Sequence, residues 1–121
     1  MKKLNNGVYI LTVTNSLIPY NELSKHIFDE ANMPQFVILV TEYGAIKIDK
    51  KIIGSFTYNE AIKYDLPDTI QGHQIGLNRD IIKPVIEAIS GEWSDSWFWT
   101  RSEYNSNISW IYYGNYGSLD H

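Results

Sequence analysis

The sequence predicts an α+β domain, on three observations. Short apolar runs of strand character recur along the chain, helical stretches are inserted among them, and the two do not alternate regularly. At 121 residues the chain is one domain by length, with room for one core. A hydrophobic content of 44% with 20% charged residues belongs to a globular chain rather than a disordered one.

Residues 7–14 alternate, with Val8, Ile10 and Thr12 on one side and Tyr9, Leu11 and Val13 on the other, so a strand is expected. Asn15-Ser16 is turn chemistry. Residues 20–31 place Leu23, Ile27 and Phe28 at helical spacing, and Asn32 and Pro34 close that segment. The continuous apolar run over 35–41 has strand length and is the best candidate for a central strand. Glu42-Tyr43-Gly44 reads as a turn, 45–49 as its hairpin partner and 52–56 as a further short strand. Thr57, with Glu60 three residues on, has the form of a capping box and predicts a helix over 58–64. Leu66-Pro67-Asp68 breaks the chain, and 69–77, which carries no period, reads as a loop. Asn78 can cap a helix running to Ser90, with Asp80 suited to its first turn. Its broad apolar face is Ile81, Ile82, Val85, Ile86 and Ile89. Pro84 sits early enough to cost few backbone bonds and predicts a bend, and Gly91 is a natural stop. The remainder, 93–121, alternates like short strands joined by polar turns.

Net charge is −4 with both signs mixed along the chain, which excludes a nucleic-acid binder working through a basic stripe and a polybasic membrane patch. Cysteine is absent, removing disulfides, thiol catalysis and cysteine-ligated zinc without settling the compartment. Met-Lys-Lys could open a signal peptide, but Leu4-Asn5-Asn6-Gly7 follows and the next apolar run is short and broken by Thr12. No secretory segment, membrane span or membrane insertion is expected, so work outside a cell would imply another export route or a place in a virion. His26, His73 and His121 are scattered without metal-ligand spacing, and no metal or cofactor is expected.

The informative segment is 93–116. It holds all four tryptophans and four of the nine tyrosines, with Asn, Ser and Gly between them. Rigid rings beside small polar groups are the composition of a binding surface. Trp97 and Trp99 share one strand face and Phe98 takes the other. Trp99 and Trp110 read most simply as packed framework, while Tyr104, Tyr113 and Tyr116, flanked by Asn, are the better surface candidates. A catalytic set could be assembled only from His73, Arg101 and Glu103, with no Ser-His-Asp context, phosphate loop or close carboxylate pair, so a non-enzymatic role is expected.

The segment Phe98-Trp99-Thr100-Arg101-Ser102-Glu103-Tyr104, followed by Ser109-Trp110-Ile111-Tyr112, resembles a YWSSTEY…AWYV pattern. That pattern belongs to C-type-lectin-fold domains of gut Bacteroidales and their phages. Leu66-Pro67, Asn78-Arg79-Asp80-Ile81 and Ile86-Glu87-Ala88-Ile89 resemble the same family's LP…NRDAI…LEAI stretch, and Gly7–Leu11 with the 37–40 run resembles an N-terminal segment often joined to it. The resemblance implies a C-type-lectin-like fold of short antiparallel strands with one or two helices. It also implies a single domain, strand-rich over 1–57 and lectin-like over 58–121, with the helix at about 79–90 supporting the 93–116 surface.

Some relatives are variable proteins of diversity-generating retroelements, whose solvent-facing positions are rewritten among fixed tryptophans. By that resemblance Trp99, Glu103 and Trp110 match the framework, and Asn105, Asn107, Ile111, Tyr113, Asn115 and Tyr116 match the changeable surface. Arg101 stands where the family has a small Ser, Gly114 where it has an aromatic, and its RVRPV-like last strand has no counterpart before His121. Trp93-Ser94-Asp95 resembles a lectin calcium strand, but Leu66-Pro67-Asp68 lacks the Glu and Asn partners, and Asp95 reads as a turn residue. The expected function is non-catalytic recognition of a protein or glycan on a cell surface, as phage receptor binding or bacterial surface display. The alternative is a structural or assembly domain of a virion or surface complex, and a homo-oligomer remains open in either case.

Overall fold

The computed structural model describes residues 4–104 and 109–121. In chain order the elements are β1 (Gly7–Thr12), β2 (Leu17–Pro19), β3 (Pro34–Thr41), β4 (Gly44–Asp49), α1 (Tyr58–Ala61), α2 (Thr69–Leu77), α3 (Arg79–Ala88), β5 (Trp97–Glu103), β6 (Ser109–Tyr113) and β7 (Leu119–Asp120). Two antiparallel sheets with these helices make the chain α+β. It divides into two compact units, one of residues up to Ile52 with Ile81–Glu92, the other of Ile53–Asp80 with Trp93–His121.

The first unit holds a sheet of order β2-β1-β3-β4. The apolar run over 35–41 is an internal strand as its sequence predicts, paired on both sides with Ile10↔Val37↔Ile48 and Val8↔Leu39↔Ile46 in register. Ile10, Ile18, Val37, Leu39 and Ile46 are buried. So are Ile82, Val85, Ile86 and Ile89 of α3 and the residue after it, whereas Ile81, expected on that face, is exposed. The helix runs unbroken through Pro84. Its end is closed by Ser90 in the left-handed region (φ 63°), with the Gly91 N–H donating to Ile86 O at 2.8 Å. Gly91 is needed for a different reason: a β-carbon there would lie 2.4 Å from Lys50 O, and the Glu92 N–H donates to that same oxygen.

Residues 20–31 do not form a helix; two short 3-10 turns, Tyr20–Lys25 and Glu30–Asn32, stand there with no buried residue, and Ile27 is 98% exposed. Three apolar positions and no side-chain cap do not carry a helix past nucleation. Residues 52–56 form no strand, because they pair with no neighbour. Residues 69–77 are helical, opened by a reciprocal capping box in which Asp68 accepts from Gln71 N–H and Gln71 from Asp68 N–H. Asn78 closes α2 rather than opening α3, its side-chain amide donating to Gln74 O at 2.8 Å.

The predicted Thr57–Glu60 capping box is present on the single-turn α1, which ends at Ala61 rather than continuing to 64. The Thr57 N–H and hydroxyl hold the Glu60 carboxyl below its ordinary pKa.

Candidate binding surface

The second unit's sheet has the order β5-β6-β7, with Trp97↔Tyr113, Phe98↔Tyr112 and Trp99↔Ile111 in register. Alternation therefore sorts its aromatics onto two faces. Phe98 stacks on Tyr112 at 5.3 Å, and Tyr112 lies against Gly72 of α2. This is the packed face, and burial pushes the Tyr112 phenol well above its ordinary pKa. The helix behind the sheet is thus α2, where the body of the 79–90 helix was expected; that body groups with the first unit.

The opposite face carries Trp97, Trp99, Ile111 and Tyr113. Trp97 is 45% exposed and meets Trp99 edge-on at 5.1 Å. Trp99 is held from behind: its Nε1–H donates to Phe56 O at 2.9 Å, and Tyr58 packs on it at 5.4 Å. The Tyr58 hydroxyl is buried with no hydrogen-bond partner among the described residues.

The candidate residues fall into three groups. Ile111 and Tyr113 are half-buried on the Trp97 face. Tyr104 is exposed at the far end of β5, stacked on His121 at 3.7 Å and edge-on to Trp110 at 5.3 Å. Asn115 and Tyr116 are exposed in the turn between β6 and β7. Asn105 and Asn107 lie outside the described residues.

Both internal departures from the pattern that the sequence resembles have structural reasons. Gly114 packs its backbone so closely that a β-carbon would lie 2.0 Å from Ser94 O, leaving no room for an aromatic. The Arg101 N–H donates to Pro67 O at 2.8 Å and its guanidinium donates to Leu66 O at 2.9 Å and reaches Asp68 at 3.4 Å. The Leu66-Pro67-Asp68 segment is thereby strapped along the outer edge of β5, and the Thr69 N–H adds a bond to Ser102 Oγ. Glu103, the expected framework glutamate, is exposed opposite Ser109.

Sequence reasoning missed one cluster. Arg79 forks onto Asp95 through Nε (2.6 Å) and Nη2 (3.0 Å) and reaches Asp80 through Nη1 (3.0 Å), while Trp93 Nε1–H donates to Asp95 Oδ1 at 2.9 Å. Hydrogen bonding to Asp95 raises the guanidinium pKa further, so it is a permanent cation. It stands 5.8 Å from the Tyr116 ring centre. The signal was the NRD triplet with a later Asp, but nothing in linear spacing joins Arg79 to Asp95 across sixteen residues. Asp95 is more than a turn residue, and the fork occupies both oxygens a calcium ion would use. Among the described residues no three His, Asp or Glu side chains come together as a metal-ligand group.

No described helix is long and apolar enough to cross a membrane. No protein-family model, curated protein or solved structure matches the chain.

Proposed function

We propose that the chain is a non-catalytic ligand-binding domain of C-type-lectin type that recognises a protein or glycan on a cell surface, as a phage receptor-binding element or a bacterial display module. The observation that carries this reading is the two-faced sheet of the second unit. One face is spent on packing through Phe98 and Tyr112, while the other leaves Trp97, Ile111 and Tyr113 partly open, followed directly by the exposed Asn115 and Tyr116. Amphipathic rings with neighbouring amides give contact area at low entropic cost. Affinity would concentrate in Trp97, Tyr113 and Tyr116. The positions matching the family's changeable surface would vary between copies of the gene, with Trp99 and Trp110 constant.

The test is binding of the full chain to arrays of glycans and to intact bacterial cells, beside Trp97→Ala, Tyr113→Ala and Tyr116→Ala. Retained folding with binding cut at least about tenfold in each variant supports the reading. Equal binding by all four proteins, or none by the wild type, removes it.

An assembly role is the second reading, favoured by exposed apolar residues in the first unit: Val13, Leu17, Ile27 and Met33, with the Val13 N–H bonded to Met33 O. Mass measurement in solution separates the two. A stable oligomer dispersed by Val13→Asp or Ile27→Asp supports assembly, and a monomer at all concentrations opposes it.

A further inference from the structure

We infer that Arg79 and His73 are positioning residues that hold the turn Gly114–Gly117 in a preformed recognition shape, presenting Asn115 and Tyr116 to the ligand. The inference rests on the binding reading above for its purpose, but its geometry and its test do not need a ligand.

The starting observation is the backbone of Tyr116. Its φ is 63°, in the left-handed region, and Gly117 follows at 75°. A residue with an aromatic side chain is sterically disfavoured there, and hairpins ordinarily place Gly or Asn at such positions. Tyr116 is also 54% exposed, so burial of its ring does not offset that conformation. Disfavoured conformations persist where surrounding contacts over-determine them, and they gather at ligand-binding positions.

The over-determining contacts come from within the hairpin and from three directions outside it. From α2, His73 Nδ1–H donates to Gly117 O at 2.6 Å; a carbonyl only accepts, so Nδ1 carries the proton. Gly76, on the same helix, approaches so closely that a β-carbon there would lie 2.4 Å from Gly117 Cα. From the segment before β5, Ser96 O accepts the Gly114 N–H at 2.9 Å. Within the hairpin, Tyr113 N–H donates to Ser118 O and Gly117 N–H to Tyr113 O, at 2.9 and 3.0 Å. The third direction is Arg79. Its guanidinium is immobilised by Asp95, Asp80 and, through Asp95, the Trp93 indole, so a fixed planar cation lies beside the Tyr116 ring.

A turn fixed before contact loses less freedom on binding, which is how a small aromatic tip gains affinity. Lysine would keep the charge but lose the fork that sets the plane.

The experiment is residue-resolved amide hydrogen exchange on the full chain, wild type against Arg79→Lys, with the Tyr113, Gly114 and Gly117 amides as reporters. The expected result is exchange at those three amides faster by about tenfold or more, with the α2 amides of Gly72 and Asn78 unchanged. In Tyr116→Leu the Arg79 side-chain protons should also lose the ring-current shift that the Tyr116 ring imposes. Unchanged turn amides overturn the inference. So does equal acceleration throughout the second unit, because Arg79 would then support the whole unit and not the turn. If Arg79→Lys does not fold, Tyr116→Leu, which leaves the Arg79–Asp95 fork intact, must loosen the same three amides. Failure of the binding reading would appear separately, as a wild type that binds nothing while its turn remains protected.

Discussion

Replacing Gly76 by alanine sets two effects against each other with opposite signs. In an unobstructed helix, alanine is favoured over glycine by about 1 kcal/mol. At Gly76 the new β-carbon would lie 2.4 Å from Gly117 Cα, Gly117 N and Tyr113 O, all of them backbone atoms that cannot rotate away. Non-bonded carbons settle at about 3.5–4 Å, so α2 and the hairpin must part by more than about 1 Å. Overpacking of this kind costs about 1–3 kcal/mol. Parting also strains the His73–Gly117 bond, which contributes about another 1 kcal/mol. After subtracting the helix-propensity gain, a net loss of about 1–3 kcal/mol is expected.

The assay is urea unfolding followed by tryptophan fluorescence. Trp93, Trp97, Trp99 and Trp110 all lie in the second unit, so the signal reports the unit that is perturbed. With a urea slope of about 1–2 kcal/mol per molar, the midpoint should fall by roughly 0.5–3 M. A midpoint unchanged or raised would mean that propensity governs and that the close approach of α2 to the hairpin is not a constraint.

Ser90→Gly should stabilise the chain by about 0.5–1 kcal/mol by relieving the left-handed residue at the end of α3, measured as a higher midpoint; a loss would mean that the serine side chain contributes there. Asp68→Ala should cost about 1 kcal/mol through loss of the α2 cap, whereas Asp68→Asn, which can still accept from Gln71 N–H, should cost much less; equal losses would assign the effect to the Arg101 contact instead. The Tyr112 phenol is raised by burial, so its stabilising contribution is complete below the ordinary tyrosine value near 10 and is lost as pH rises above it. Ultraviolet titration should show a tyrosine that ionises late and together with unfolding, and Tyr112→Phe should abolish that step.

The elements legible in the sequence are those whose burial is carried by side chains in a regular period. The 35–41 strand, its hairpin partner and the apolar face of α3 all bury branched aliphatics, and each was visible. Helix α2 was not, because its buried face is built from Gly72, Ile75 and Gly76, and glycines leave no hydrophobic period. Only its Asp68-x-x-Gln71 cap could have given it away. Residues 20–31 show the reverse error, a spacing that looks amphipathic over residues with nothing to pack against. For the site, composition pointed to 93–116, and strand alternation alone put Trp97 and Trp99 together. Which tyrosines share that face depends on the register of β6 against β5, Trp97 opposite Tyr113 and Trp99 opposite Ile111, and linear sequence does not carry that pairing. Arg79 was out of reach, since its partners arrive from distant segments.

Among the described residues, three non-glycines have positive φ: Asn15, Ser90 and Tyr116. Asparagine tolerates the conformation, and Ser90 terminates a helix, but Tyr116 has neither excuse. Its neighbour Asn115 would suit the position better, so the order of the two residues is locally the wrong one for stability. Conflicts of this kind between local preference and fold are expected at functional sites. Exchanging them, as Asn115→Tyr with Tyr116→Asn, leaves composition unchanged and tests this directly. Relief of the left-handed strain gains about 1–2 kcal/mol. Loss of the ring beside Arg79 returns about 0.5–1 kcal/mol. A net stabilisation of up to about 1.5 kcal/mol is therefore expected, read as a raised urea midpoint, together with weaker binding on the surface arrays. A doubly exchanged protein that is less stable than the wild type would show that the turn holds tyrosine for its own packing and not for recognition.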